Sequence, residues 1–428
     1  MDQTMIRNLL EQYPTPLYVF EERLLTERVG LLRRSLPEDV RLCFAVKANP
    51  FLGRFLHGIV DRFEICSPGE MYICKKQGLP AEQYILSGVH KDEASMRYAF
   101  EHGLSGGILT AESVNQFELI VSLAAEYGQK VRVMPRLTNG SQFGLEEDEI
   151  IGLIRRCGEL NRDKDGLVTF AGIHFFSGTQ KTSLKKHRRE LAMLDDFTDR
   201  IREETGLEVP ELEYGPGFPA VYFEGERFDE ASYLEEFSLL LNSMRNRVPV
   251  TLELGRGIAA SCGSFFSRVA DVKSNHGENY AILDGGIHHI TYFGQFMAMK
   301  HPFCSVWPPR ESTEEDTVWN LCGSLCTFND LLVKKLPVRD LKVGDVVIFK
   351  NTGAYCMTEG ISLFLSRDLP AVVWVKKNGE TQLLREAEPV CLFFHETGNE
   401  FPHGLRGIEI LRDDLNCGDG DVILILKL

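Results

Sequence analysis

The chain has 428 residues, a length that exceeds one ordinary hydrophobic core and predicts two domains. Its hydrophobic fraction of 43% and charged fraction of 25% are typical of a globular protein in water. A net charge of -15 and a pI near 5.3 argue against nucleic acid or an anionic membrane surface as a partner, because both require a basic face.

The N-terminal segment predicts no secretory signal peptide, because Met1–Arg7 is not followed by a sustained apolar core. No run of about 18 apolar residues occurs, so no membrane span is predicted. The 11 cysteines are scattered without a CxxC pair, which indicates reduced thiols in a cytoplasmic protein. Cys322 and Cys326 could form half of a metal site, but no cluster of matching spacing completes it, and the sequence predicts no metal.

A helix over Glu22–Ser35 precedes a series of short β-rich runs that alternate with amphipathic stretches of helical period. The runs begin near Leu42, Phe63, Tyr84, Gly107, Val131, Phe170, Leu212 and Leu252. This alternation predicts βαβ units around a parallel sheet. Eight strands, with the first helix as the eighth outer helix, predict a TIM-type (β/α)8 barrel over residues 26–262.

The hydrophobic pattern of the sequence changes after the eighth run, where short alternating runs are separated by turns rather than by helices. Examples are Phe265–Val272, Tyr280–Asp284, Asp345–Phe349 and Ala371–Val375. Such runs predict an antiparallel β domain over residues 263–385. Residues 1–25 are expected to join this domain through Pro16–Phe20.

The C-terminal residues 386–428 form a separate extension in this interpretation. Two strand-like runs, Gly407–Leu411 and Asp421–Leu426, lie within it. We expect the extension to add to the β domain.

The ends of the predicted barrel strands carry polar and glycine residues that a cofactor would need. A parallel barrel gathers its strand ends at one face, so Lys47 would meet the residues that follow the seventh and eighth runs. A lysine at a strand end often only extends its amine to solvent, whereas a lysine in a pocket can form an imine with an aldehyde cofactor. The neighbouring motifs favour the second interpretation.

Those motifs are two glycine turns and a buried carboxylate. Gly215, Gly217 and Gly255 would present backbone N–H groups to a phosphate, although a single Gly-x-Gly is usually only a turn. Glu253 needs a partner inside the barrel. Beside a pyridine nitrogen it would keep that nitrogen protonated; the alternative is an ion pair with a barrel arginine such as Arg136. The pattern favours pyridoxal 5'-phosphate.

From about Tyr13 to Leu384 the chain resembles the fold-type III pyridoxal-phosphate decarboxylases, the diaminopimelate, ornithine and arginine decarboxylase group. The matching motifs are Ala45–Asn49, Glu64–Glu70, Gln142–Gly144, Gly172–Gln180, Gly215–Gly217, Glu253–Arg256, Leu283–Gly286, Leu325–Asp330 and Gly353–Tyr355. The resemblance implies an alanine racemase-like barrel, pyridoxal 5'-phosphate as cofactor, and release of CO2 from an amino acid or a derivative, either free or held on a carrier protein.

The resemblance also implies roles for the matching residues. The cofactor would be held by Lys47 at its aldehyde, by Glu253 at its pyridine nitrogen, and by Phe176 against its ring. Its phosphate would be held by Thr179, Gly215, Gly217, Gly255, Arg256 and Tyr355.

In this family the active site is shared across a head-to-tail homodimer. Cys326 would therefore protonate the product carbon in the site of the partner chain, and His174 would also act in catalysis. Asp330, Thr327 and Arg136 would contact the substrate.

The chain departs from the family pattern at several positions. Phe176 replaces a histidine, and Pro216 removes one N–H from the glycine run. Thr327 stands where diaminopimelate decarboxylases have a glutamate, and residues 288–294 lack their arginine-proline pair. A diaminopimelate substrate would have its distal charged end unpaired. The chain is more similar to a sub-branch of secondary metabolism that includes the glutamyl-acyl-carrier-protein decarboxylases.

Two other functions stay open at this point. An amino-acid racemase on the same barrel would place an arginine at the pyridine nitrogen, where this chain has Glu253. A non-catalytic regulator of this fold typically loses the lysine or the phosphate loop, and this chain keeps both. A decarboxylase that acts on a small amino-acid substrate, diaminopimelate included as an alternative, is our main prediction.

Overall fold

The computed structural model describes residues 1–163, 166–310 and 317–394, together with 409–410 and 426–427. The chain begins with helix α1 (Gln3–Gln12) and strand β1 (Leu17–Glu21) and then builds a barrel followed by a second sheet. Among the helices of the described residues, none combines the length and the apolar character that a bilayer span requires.

The barrel is built from parallel strands, as the sequence predicts. They are β2 (Arg41–Ala45), β3 (Arg62–Ile65), β4 (Tyr84–Leu86), β5 (Ile108–Ala111), β6 (Val131–Pro135), β7 (Val168–Phe170), β8 (Ile173–Phe176), β9 (Leu212–Gly215) and β10 (Val250–Leu254). Their order is β7-β6-β5-β4-β3-β2-β10-β9-β8. Every pair in this sheet is parallel.

The sixth predicted run differs from the expectation, because it is split into β7 and β8. Gly172 between them has a φ of 140°, and a Cβ there would lie 2.0 Å from the carbonyl oxygen of Glu211. β7 pairs with β6 and β8 pairs with β9. A parallel bridge between Arg136 and His174 then joins the end of β6 to β8. The two short strands therefore fill one of eight positions around a closed barrel.

Helices surround the barrel strands. They are α2 (Glu22–Ser35), α3 (Gly53–Leu56), α4 (Pro68–Lys76), α5 (Glu93–Glu101), α6 (Val114–Tyr127), α7 (Glu147–Asp163), α8 (Leu184–Thr205), α9 (Glu230–Asn242) and α10 (Arg256–Ala259). Helix α2 has the bounds that the sequence predicts. Its Arg28 donates to the carbonyl of Gly257 at 2.5 Å and pairs with Glu230 at 2.6 Å, so α2 is fixed between α10 and α9.

The barrel interior contains a small apolar cluster. Cys43, Ile85, Ile108 and Met134, from β2, β4, β5 and β6, are all buried and pack together. A much larger core lies between the strands and the outer helices and continues into the second sheet. An interior filled by side chains leaves the carboxyl ends of the strands as the place for a site.

The second sheet is mixed. Its strands are β1, β11 (Gly263–Asn275), β12 (Glu278–Leu283), β13 (Cys304–Trp307), β14 (Thr317–Cys322), β15 (Leu331–Val338), β16 (Val346–Lys350), β17 (Ala371–Val375) and β18 (Thr381–Arg385). Most pairs are antiparallel, as predicted, but β1–β17 and β12–β14 are parallel. Their partners are distant in sequence, so no tight turn enforces antiparallel pairing. The predicted return of Pro16–Phe20 to this sheet is confirmed through β1.

The C-terminal extension is described at two short strands. β19 (Glu409–Ile410) pairs antiparallel with β20 (Leu426–Lys427), where the sequence predicts its two last runs. The other residues of those runs lie outside the described residues. The domain boundaries and the addition of 386–428 to the β domain stay predictions.

Candidate active site

Lys47 lies in a tight turn directly after β2, held by contacts from the second sheet. The side chain of Asn49 donates to the carbonyl of Gly353 at 2.9 Å, and the backbone N–H of Tyr355 donates to the carbonyl of Ala48 at 2.7 Å. The strand end that carries the lysine is therefore fixed by the loop after β16.

The Lys47 amine faces two carboxylates. Its Nζ lies 2.8 and 3.0 Å from the oxygens of Glu64 and 3.3 Å from Oε1 of Glu253. Burial lowers the pKa of this amine, but the two carboxylates outweigh burial and hold the pKa well above its ordinary value. The amine is protonated at neutral pH and must release this proton before it can bind an aldehyde.

Glu253 is held between Lys47 and His174. Its Oε2 lies 3.1 Å from Nε2 of His174, and both side chains are buried. Burial raises the pKa of the Glu253 carboxyl, but the Lys47 amine and the His174 ring lower it by a larger amount. The net effect is a pKa below the ordinary value, so the group is ionised. The alternative partner, Arg136, binds Glu112 at 2.5 Å instead. The alternative ion pair between Glu253 and this arginine is not formed.

Glu64 and Glu213 are two acidic side chains whose roles the sequence analysis missed. Glu64 lies within a recognised motif and accepts hydrogen bonds from Ser87 and Cys66 as well as from Lys47. Glu213 on β9 is fully buried, and neither of its oxygens has a hydrogen-bond partner among the described residues. Burial, with the nearby charges of Glu253 and Glu64, raises its pKa well above the ordinary value, so it is protonated.

His174, Glu213 and Glu253 also bring ligand-type atoms within 4.8 Å of one another. This spacing suits a cation, but Glu253 already binds Lys47 and His174, and Glu213 carries a proton. Hydrogen bonds within the barrel therefore account for Glu253 and His174, and Glu213 lies beside them without a hydrogen-bond partner among the described residues.

Arg256 lies in the first turn of α10, beside the loop after β8. Its Nε is 3.4 Å from Oγ1 of Thr179. Its guanidinium carbon lies 4.7 Å from the ring centre of Tyr355, 5.1 Å from that of Phe293 and 5.4 Å from that of Tyr222. The charge is thus enclosed by aromatic rings and oriented toward the loop after β8.

The predicted phosphate glycines are crowded. A Cβ at Gly217 would lie 2.1 Å from the carbonyl oxygen of Gly178, and one at Gly255 would lie 2.4 Å from the hydroxyl of Tyr355. A Cβ at Gly215 would lie 2.3 Å from the ring of Phe176. A Cβ at any of these turns would force a neighbour to shift, most severely at Gly217, where the neighbour is backbone. Glycine here leaves the backbone of both loops free to approach a phosphate closely.

The predicted substrate and proton-donor residues lie partly elsewhere. Arg136 is buried beside the barrel mouth, whereas Cys326 is exposed and makes no hydrogen bond with any described residue. The carboxylate of Asp330 accepts the N–H groups of Ile287 and Leu325, each at 2.8 Å. Thr327 lies in the same loop. Asp330 thus fixes the loop that presents Cys326.

These residues fit pyridoxal 5'-phosphate at each of its reactive groups. Lys47 provides an amine for the aldehyde, ionised Glu253 provides an acceptor for a protonated pyridine nitrogen, and Arg256 with the crowded glycines provides a phosphate cradle. The stacking of Phe176 on the ring stays a prediction, as does each role assigned to a single residue.

Comparison with known proteins identifies the family. Residues 22–260 match the family described as pyridoxal-dependent decarboxylase, pyridoxal binding domain. The L-glutamyl-[BtrI acyl-carrier protein] decarboxylase of Niallia circulans is 27% identical over 406 residues, which is 90% of this chain and 94% of that protein. The diaminopimelate decarboxylase of Aquifex aeolicus is 24% identical over 401 residues, or 90% and 91%.

A solved structure of a diaminopimelate decarboxylase has a similar fold. The crystal structure of diaminopimelate decarboxylase from M. jannaschii superposes with a TM-score of 0.78 at 21% identity, covering 92% of this chain and 94% of that one. The family match spans more than half of the chain, and the predicted cofactor and enzyme class are confirmed. The chain therefore belongs to the pyridoxal-dependent decarboxylase family, and it is a pyridoxal-phosphate-dependent enzyme that removes the α-carboxylate of an amino acid or amino-acid derivative as CO2.

Proposed function

We propose that the substrate is a glutamyl group whose side-chain carboxyl is joined to a carrier protein, so that only the α-carboxylate is free. The likeness to the Niallia circulans enzyme, named for such a substrate, supports this proposal. So does Thr327, which stands where diaminopimelate decarboxylases have a glutamate. A blocked side chain carries no distal charge. It therefore needs neither the glutamate after the cysteine nor the arginine-proline pair that this chain lacks.

The observation that carries the proposal is the neutrality of residues 288–294, the segment in which a diaminopimelate enzyme is expected to carry an arginine. Burial, with the neighbouring His289 ring and the charge of Arg367, lowers the pKa of His288 to about 3. Burial, with the charges of Arg385 and Arg367, lowers the pKa of His289 to about 4, although a hydrogen bond to the Asp368 carbonyl raises it. Both rings are neutral at pH 7. The segment therefore offers no cation for a distal carboxylate.

The site residues divide the chemistry as follows. Bound here, pyridoxal phosphate supplies an aldehyde that combines with amines and a protonated ring that accepts electrons. Glu253, oriented by His174, holds the proton on the pyridine nitrogen. Glu64 receives the proton that Lys47 Nζ must release, since it lies 2.8 Å away. Arg256 holds the phosphate.

A second copy of the chain completes the site in this proposal by contributing Cys326 as the proton donor to the product carbon. Phe328 in the same loop is 94% exposed. Ile361 and Leu363–Leu365 are each about half exposed, and Arg367 ties their segment to the Cys326 loop by donating to the carbonyl of Ser324 at 3.1 Å. Apolar side chains exposed together in this way suit an interface between two copies.

The test is the release of CO2 from a panel of substrates. The purified holoenzyme would be given glutamate, a glutamyl thioester of N-acetylcysteamine, carrier-loaded glutamate and meso-diaminopimelate. We expect the glutamyl group with a blocked side chain to have the highest kcat/KM. Lys47→Ala should release no CO2 and lose the yellow absorbance of the bound cofactor. If meso-diaminopimelate is the best substrate, the proposal is wrong.

A further inference from the structure

The first turns of α8 carry three cations on one side of the helix. Lys185, Arg188 and Arg189 have the i, i+3, i+4 spacing that places side chains together on a helix. All three are exposed, and none makes an ion pair with a residue that the structure describes. Further along the same helix, Arg200 and Arg202 are both paired with carboxylates. We call the three residues the α8 cationic face.

The position of Lys185 in the first turn is unfavourable for the helix itself, and Arg188 and Arg189 in the next turn gain nothing from the helix dipole. The N-terminal end of a helix carries a partial positive charge, which repels cations and attracts acids. The first turn of α8 contains no acidic residue, and Ser183 makes no side-chain cap bond. Glu190 does not compensate, because it is buried and accepts bonds from Ser177 and Lys181. Helix stability therefore does not account for the α8 cationic face.

The α8 cationic face lies at the rim of the cofactor site. The neighbouring Lys186 donates to the carbonyl of Ser177 at 2.9 Å, two residues before Thr179. A cavity of about 330 Å³ lies beside the start of the helix and is lined by Thr182, Arg227 and Phe293, among others. Arg227 likewise has no ion pair among the described residues, and Phe293 contacts the guanidinium of Arg256.

We propose that the α8 cationic face is the docking surface for an acidic carrier protein that presents the glutamyl group. This inference rests on the proposed function. The chain has a net charge of -15, so its overall field repels an acidic partner. A local cluster of unpaired cations beside the site reverses that field where the partner must approach, and such clusters act on encounter rate and specificity.

The test compares carrier-bound and small substrates in one variant. The holoenzyme with Lys185→Glu, Arg188→Glu and Arg189→Glu would be assayed with L-glutamyl-loaded BtrI acyl-carrier protein and with the glutamyl thioester of N-acetylcysteamine. We expect KM for the loaded carrier to rise by about tenfold or more, with kcat and the kinetics of the small thioester unchanged. Raising salt from about 50 to about 300 mM should raise the wild-type KM for the carrier, because it screens the attraction, and should lower that of the glutamate variant, because it screens the repulsion.

A matched control has the same change in charge at another place. Lys334→Glu, Lys342→Glu and Lys377→Glu reverse three exposed lysines of the second sheet and should leave both KM values at the wild-type level. If the glutamate variant of α8 does not fold, the corresponding glutamine variant should show a smaller rise in the carrier KM.

The outcomes separate the two proposals. Turnover of both glutamyl substrates with an unchanged carrier KM in the α8 variant would overturn the docking surface and leave the proposed function intact. An equal rise in the control variant would also overturn the docking surface. Absence of turnover for both substrates in the wild type would overturn the proposed function and this inference together.

Discussion

In the proposed chemistry Glu253 has to remain ionised while it is almost completely enclosed by protein. A neutral amide of the same shape could not hold a proton on a pyridine nitrogen. We therefore expect Glu253→Gln to lower kcat by about a hundredfold or more while the cofactor still binds through Lys47 and Arg256. Steady-state release of CO2 and the visible absorbance of the holoenzyme measure the two properties separately. An unchanged kcat would assign the pyridine nitrogen to another residue.

Glu213 predicts an unusual dependence of stability on pH. Its pKa in the folded chain is raised well above 4.5, so the folded state keeps a proton that the unfolded state loses. The stability from this group is complete below about pH 4.5 and is lost as the pH rises toward the folded pKa. Glu213→Gln removes this loss. The free energy of unfolding of the variant should therefore rise relative to that of the wild type by up to about 1.4 kcal/mol for each pH unit above about 4.5.

The measurement is the melting temperature of the cofactor-free protein between about pH 5 and about pH 8, compared for the two chains. The gap between them should widen as pH increases. Parallel curves would mean that Glu213 is ionised in the folded protein.

At this scale the sequence predicts single residues better than their partners. Lys47 and Glu253 could be recognised because each follows or ends a strand of clear β pattern. The contact between Glu253 and His174 joins two different strands, and nothing in the spacing along the chain encodes it. Glu64 was within reach, since it lies in a motif next to an apolar run, but its proximity to Lys47 depends on how two strands align in the barrel.

At the scale of elements, the loops after β8 and β9, which are predicted to hold the phosphate, are in direct contact. Gly217 has a φ of 64°, and its missing Cβ leaves room for the backbone of Gly178. Gly217→Ala would both strain the backbone and separate the loops. We expect a loss of cofactor affinity of about tenfold or more, because the phosphate contacts depend on close approach. Titration of the apoprotein with pyridoxal phosphate measures this loss.

Gly225 supplies the matched control for this variant. Its φ of 79° is also left-handed, but nothing lies within 4 Å of the position of a Cβ. Gly225→Ala should cost about 1 kcal/mol of stability through backbone strain and leave the affinity for pyridoxal phosphate unchanged. Equal losses of affinity in both variants would attribute the effect to strain rather than to the contact between the loops.

The order of strands and helices could be predicted because each element has its own periodicity. The split of the sixth run could not, since it follows from the close approach of Gly172 to the carbonyl of Glu211, a residue on the chain segment before the next strand. The two parallel pairs of the second sheet were missed for a similar reason. Strand pairing between distant segments leaves no local pattern in the sequence.

At the scale of the whole molecule, a shared site predicts complementation between inactive chains. Lys47→Ala and Cys326→Ala should each be inactive alone. When the two chains are mixed and allowed to exchange, half of the dimers combine them and each such dimer has one complete site, so about a quarter of the wild-type activity should return. Activity assays after co-refolding measure this recovery. Phe328→Asp in both chains should abolish this recovery by preventing association. If mixed Lys47→Ala and Cys326→Ala chains that keep Phe328 recover no activity, the shared site is ruled out.

Two hydrogen bonds join the loop after β16 to the turn at Ala48 and Asn49. They bear on whether the barrel could function without the second sheet. They make the position of the Lys47 turn dependent on a segment some 300 positions further along the chain, so we expect that the barrel is not an autonomous module. A chain truncated after the barrel would keep Lys47 but lose its fixed orientation together with Tyr355. We therefore expect a nascent chain to capture the vitamin-derived aldehyde only after its second sheet has been synthesised.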